Sequence, residues 1–104
     1  MIKNYTKEQH GELIVHKFGA WIDNRGYFQE LYRESVFGKK IVQVNRSFSH
    51  EGTVRGLHLQ IKKPITKFVR VISGAITDYA LNPNSGQISE FFLADPNVII
   101  EVPN

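Results

Sequence analysis

The chain contains no cysteine, which excludes a disulfide framework and any thiolate metal site. That suits a reducing compartment. No run approaches the ~18 consecutive apolar residues of a membrane span. Met1–His10 is polar and lacks the apolar stretch of a secretion signal, so the expected location is the cytoplasm. There is no internal repeat and no low-complexity tract. Lys and Arg are scattered rather than clustered, which argues against a nucleic-acid groove. What remains is an ordinary globular balance, 41% hydrophobic and 22% charged over 104 residues. Such a length fits a single domain, residues 1–104, with a modest core. The net charge of +3 gives a mild positive field that favours anionic ligands such as phosphates, although on charge alone solubility is the readier explanation.

The apolar runs are short, rich in β-branched residues and separated by turn residues, the pattern of many short strands. Leu13–Phe18 reads as a strand. Asp23-Asn24-Arg25-Gly26 reads as a turn, because Asp and Asn bond their own backbone and Gly tolerates positive φ. Tyr27–Leu31 suits a strand or an extended loop. Leu31–Phe37 is the one plausible helical turn, with Gly38 ending it. Ile41–Asn45 is expected to be the next strand. Lys67–Ile72 and Ala75–Leu81 flank Ser73-Gly74, which reads as a tight hairpin turn. Asn82–Gly86 is a second turn, followed by strands at Gln87–Leu93 and Val98–Val102 with Asp95-Pro96-Asn97 between them. Strands at this spacing imply an all-β sandwich or barrel. The chain stops just after a strong strand, so its C-terminal end reads as interrupted.

The densest polar cluster on apolar strands is Gln43-Val44-Asn45-Arg46-Ser47, followed by Arg55-Gly56-Leu57-His58-Leu59-Gln60. Successive strand residues point to opposite faces, so Gln43, Asn45 and Ser47 share one face, as do His58 and Gln60. Two such strands would build a polar barrel interior, and buried polar groups must be satisfied or used. A solvent-facing strand side with a hydrogen-bonded histidine is the competing interpretation. Imidazole titrates nearest neutral pH, at ~6.5, which makes His58 a natural general base. His10, His16 and His50 lie in the N-terminal segment or near turns and are expected at the surface. Small β-barrels often carry His-x-His metal sites. Here the pattern is His58-x-Gln60, and one imidazole with an amide makes a poor metal site, so no metal is expected.

At these residues the sequence resembles the dTDP-4-dehydrorhamnose 3,5-epimerase family of sugar-nucleotide enzymes. The matching stretches are Asp23–Glu30, Val42–Ser47, Gly52–Gln60, Lys67–Val71 and Gly74–Asp78, in that order. Several linked motifs in sequence are more specific than any one of them. The resemblance begins near Glu12 and covers roughly the first half of a usual member.

The resemblance implies a cupin-like jelly-roll β-barrel, whose completeness the abrupt end leaves open. It also implies a homodimer that epimerises a nucleoside-diphosphate sugar beside a C4 ketone without any cofactor. By match, His58 removes the α-proton, Lys67 faces the C4 oxygen and steadies the enolate, and Arg55 lies near the pyrophosphate. Arg25 and Glu30 match substrate-site residues near the dimer interface, and Gln43, Asn45 and Gln60 match polar positions of the pocket. The family's later half supplies a tyrosine acid and an aspartate that orients the base. Tyr5, Tyr27, Tyr32 and Tyr79 do not match that tyrosine. Two alternatives stay open: a ketoisomerase of deoxysugar nucleotides using the same base, and a non-catalytic domain that binds sugar nucleotides or pairs with a longer partner.

Overall fold

The computed structural model of the protein describes residues 2–56 and 65–103. In chain order its elements are β1 (Lys3–His10), β2 (Leu13–Gly19), β3 (Trp21–Asp23), β4 (Gly26–Phe28), α1 (Glu34–Phe37), β5 (Lys67–Val69), β6 (Ile76–Leu81), β7 (Ile88–Leu93) and β8 (Val98–Val102). A four-stranded antiparallel sheet has the order β1-β2-β8-β5, and β3–β4 and β6–β7 form separate two-stranded hairpins. These antiparallel sheets and the near-absence of helix are those of an all-β, cupin-like fold. Among the described residues the main sheet stays open, with β1 and β5 as its edges.

β8 organises the core. Its Val-Ile-Ile run lies between β2 and β5, with both faces covered. On one face Val98 and Ile100 join Val15, Val71 and Leu93, with Val69 and Phe91 packed against them. This cluster docks the β6–β7 hairpin on the sheet. On the other face Ile99 joins Ile2, Phe18 and Phe37, flanked by Tyr5, Tyr32, Val36 and Phe68. Each fully buried Leu or Ile in these clusters contributes about 1.5–3 kcal/mol.

The local turns follow the residue chemistry. Asn24 and Arg25 connect β3 to β4, and Asn82–Gly86 connects β6 to β7. The helical turn ends at Gly38, whose φ of 78° is left-handed and whose N–H donates to the Glu34 carbonyl at 2.8 Å.

Three features differ from expectation. β1 is a full strand although Met1–His10 shows no apolar alternation, because it lies at a sheet edge, where charged residues are usual. Ile41–Asn45 forms no ladder: Val42 and Val44 are 85% and 84% exposed, and no described strand lies alongside to pair with them. Ser73-Gly74 is a bend rather than a hairpin turn. β5 pairs with β8 and β6 with β7, so the bend carries the chain between sheets, with Val71 buried in the crossing.

Candidate functional site

Lys67 opens β5 opposite Val102, and strand alternation puts it on the same face as Val69, away from Phe68. Val69 packs against the Val15–Ile100 cluster. Asp78 in β6 stands opposite Phe91, which packs against the same cluster. Lys67 and Asp78 thus sit at the margin of one apolar core. Burial pushes the Asp78 carboxyl above its ordinary pKa, while the Tyr79 backbone N–H and the Lys67 ammonium pull the other way. Lys67 itself is exposed, and of the two groups only its ammonium can stabilise developing negative charge.

Arg55 lies elsewhere. Its Nε donates to the Ser49 hydroxyl at 2.7 Å and its Nη2 to the Phe48 carbonyl at 3.1 Å. With Val54, Gly56, Tyr79, Leu81 and Ile88 it lines a cleft of about 420 Å³. Tyr79 and Leu81 alternate with Asp78 and Ala80 along β6, so this cleft lies on the face of β6 opposite Asp78. The described residues therefore do not bring Arg55 and Lys67 into one pocket.

Arg25 sits in the β3–β4 turn. Its backbone N–H and its Nη2 donate to the two oxygens of Asp23, at 2.8 and 2.7 Å, and those bonds hold Asp23 below the usual carboxylate range. Trp21, Tyr27 and Phe28 join Arg25 around a shallow cleft of about 290 Å³. Glu30 is partly buried and accepts two bonds from Arg33, the Nη2 one at 2.8 Å. Chiefly through that guanidinium its pKa falls to about 2, so it is a carboxylate at any working pH. Gln43 Nε2 donates to Asn45 Oδ1 at 3.2 Å, the contact expected of two residues on one side of an extended chain. His58 and Gln60 lie outside the described residues.

His10 and His50 are exposed, as expected. His16 is not: it is fully buried on β2, bonded to Tyr5 and Glu101. Phe37 and Phe68, distant in the sequence, pack against its ring and cover it. Asp78 is the other residue whose setting was missed. Its only sequence signal is an acidic residue in the middle of an apolar strand. Among the described residues, no group of three or more His, Cys, Asp or Glu side chains is placed to hold a metal ion. Nor is any described helix long and apolar enough to cross a membrane.

A family model described as dTDP-4-dehydrorhamnose 3,5-epimerase matches residues 9–97. The chain belongs to this epimerase family. It is 44% identical over 88 residues to the dTDP-4-dehydrorhamnose 3,5-epimerase of Methanothermobacter thermautotrophicus, a match covering 78% of this chain and 47% of that protein. It is 45% identical over 78 residues to the Sinorhizobium fredii protein of the same name, covering 67% and 38%. To that of Pseudomonas aeruginosa it is 37% identical over 81 residues, covering 72% and 45%. The matched stretch thus spans less than half the length of each of these relatives. No solved structure matches the chain significantly. Every candidate site residue, from Arg25 to Asp78, falls within the stretch that matches the epimerase family.

Proposed function

We propose that this chain forms the proton-abstracting side of an epimerase site for a dTDP-linked 4-keto-6-deoxysugar. The substrate class comes from the names of its relatives. The observation that supports the reading is the place of Lys67, on the face of β5 from which Val69 packs on the apolar core, with its charge acting on the Asp78 carboxyl against the effect of burial. A proton next to a ketone is acidic only when the enolate oxygen is stabilised, and an ammonium held beside that oxygen does that. His58 is the base, and a base of near-neutral pKa contributes ~10²–10⁴ in rate. Asp78 orients the Lys67 ammonium. Arg55 meets the diphosphate, and Arg25, Glu30, Gln43, Asn45 and Gln60 contact the rest of the substrate. The reaction needs neither metal nor nicotinamide, because the base takes one proton from the carbon and a second group delivers another to its opposite face, with no net change of oxidation state. The same reading includes a single domain, a homodimer and a cytoplasmic setting.

The test is proton exchange in deuterium oxide. The chain is mixed with a dTDP-linked 4-keto-6-deoxysugar, and loss of the C3 and C5 proton signals is followed by NMR. Exchange above the uncatalysed rate is expected. A folded sample that binds the nucleotide sugar without exchanging either proton would overturn the catalytic reading in favour of a binding domain.

A further inference from the structure

His16 has 0% exposure and lies in the middle of a network the proposed chemistry does not use. Its Nε2 is 2.9 Å from Oε1 of Glu101 on β8, itself 3% exposed. Its Nδ1 is 2.6 Å from the hydroxyl of Tyr5 on β1. Phe37 of α1 stacks on the imidazole at 4.6 Å between centroids and 13° between planes. Phe68 of β5 closes the remaining side at 5.9 Å. One ring therefore joins β1, α1, β8 and β5 to β2.

The hydrogen bonds favour one protonation state. A carboxylate only accepts, so Nε2 carries the ring proton and donates it in a hydrogen bond to Glu101. Nδ1 is then a lone pair, and the Tyr5 hydroxyl donates to it. A second proton on the ring would set Nδ1–H against Tyr5 O–H across 2.6 Å. Tyr5 would have to turn its hydrogen away, and its bond to the ring would be lost or reversed. The groups facing the ring act in both directions. Burial disfavours the imidazolium most, Glu101 favours it through its hydrogen bond and its charge, and Lys7 on β1 disfavours it. Phe37 and Phe68 carry no charge. The balance lies below the ordinary imidazole value.

We propose that Tyr5, His16 and Glu101 form a pH-operated latch, closed while His16 is neutral, that holds edge strand β1 and helix α1 on the sheet and releases them on acidification. β1 is the element to release, because among the described residues it is an edge strand whose one ladder neighbour is β2, with a side-chain tie to β7 at His10. The sign follows from linkage. The unfolded imidazole titrates near ~6.5 and the folded one lower, so the latch contributes fully above ~6.5 and weakens as pH falls below it. The β6–β7 hairpin packs on the opposite face of the sheet, in the Val15–Ile100 cluster, and meets β1 at His10, whose ring contacts the Glu90 carbonyl and Phe91. The inference is independent of the catalytic reading.

Hydrogen exchange of the full chain between pH 7.5 and 5, corrected for intrinsic rates, tests it. Protection of β1 and α1 amides is expected to fall below pH 6.5, by up to about tenfold per pH unit for one proton, while β6–β7 amides hold. Equal pH dependence in β1 and β6–β7, or none in either, would overturn the latch. Nitrogen NMR of the imidazole gives a second readout, which needs no variant. A neutral ring protonated on Nε2 at pH 7 is expected, and an imidazolium there would overturn the proposal. The paired variant His16→Leu with Glu101→Leu removes the titratable ring and the carboxylate it bonds. It should keep β1 protected at both pH values, and acid release persisting in it would also defeat the proposal.

Discussion

The Ser89 hydroxyl on β7 accepts a hydrogen bond from the Glu12 N–H at 2.6 Å, and it occupies the space a side chain on Gly11 would need. A Cβ at Gly11 would stand 2.3 Å from Ser89 Oγ and 3.1 Å from its Cβ, in a turn whose φ of +58° already disfavours L side chains. This contact locks the β1–β2 turn to the β6–β7 hairpin. Gly11→Ala is expected to destabilise the fold by about 1–3 kcal/mol, from left-handed strain plus the clash. Ser89→Ala should cost about 1 kcal/mol by leaving the Glu12 N–H without its acceptor. Because the residues touch, the double variant should be less destabilised than the sum of the two. Urea unfolding of the four proteins checks this, and simple additivity would show that the close approach carries no energy.

The elements legible in the sequence are those whose signals are local. The Asp23–Gly26 and Asn82–Gly86 turns, Gly38 as a helix stop and the Val98–Val102 strand all rest on neighbouring residues. The partner choices were not legible. Ser73-Gly74 reads as a hairpin, but β8 requires a neighbour on each side and takes β5 as one of them. His16 reads as a surface residue because its partner, Glu101, is 85 positions away. A signal was available: Glu101 is the lone titratable residue of Val98–Val102, His16 follows the apolar Leu13–Val15 run, and two such residues in buried strands satisfy one another best by pairing. For the site, chemistry was more legible than geometry. Lys67 was identified by its motif, whereas its proximity to Asp78 depends on how the β6–β7 hairpin docks. Arg55 and Asp78 fall on two faces of β6, which motif order alone does not reveal.

Metal content follows from the ligand types. His58-x-Gln60 pairs one imidazole with an amide, a weak donor set for iron or zinc. The purified protein is expected to carry no stoichiometric transition metal, and chelator treatment should leave its thermal midpoint unchanged. One tightly bound iron or zinc per chain in elemental analysis would contradict this and point to a metal-dependent cupin.

Arg55 should govern phosphate affinity. Its bonds to Ser49 and Phe48 engage Nε and Nη2 of a side chain that has five N–H donors, and the guanidinium fork matches phosphate oxygens. Arg55→Ala is expected to weaken binding of a nucleoside diphosphate by about ten- to a hundredfold, the scale of a hydrogen bond to a charged group. Arg55→Lys should recover only part of the loss, because an ammonium lacks the planar fork. Calorimetric titration measures both, and unchanged affinity in the alanine variant would remove Arg55 from the site.

The catalytic groups are separable by what each contributes. Exchange of an α-proton with solvent needs a base and a stabilised enolate on one face of the sugar. Inversion needs, in addition, a donor on the opposite face, and none of Tyr5, Tyr27, Tyr32 or Tyr79 matches the family's acid. The 104-residue chain is therefore expected to wash deuterium into the sugar slowly while forming little inverted product. His58→Asn should abolish the washout, since an amide is no base at neutral pH. Lys67→Met keeps the stem and removes the charge, and should slow exchange by about 10²–10³, the usual effect of losing one group that stabilises an oxyanion. Asp78→Asn should act more weakly than Lys67→Met, because it acts through Lys67 and not on the substrate. It should also shift the pH profile of exchange, which a purely structural role would not do. Rapid inversion by the unmodified chain would show that another of its residues donates the second proton. Washout that survives His58→Asn would take the base away from His58.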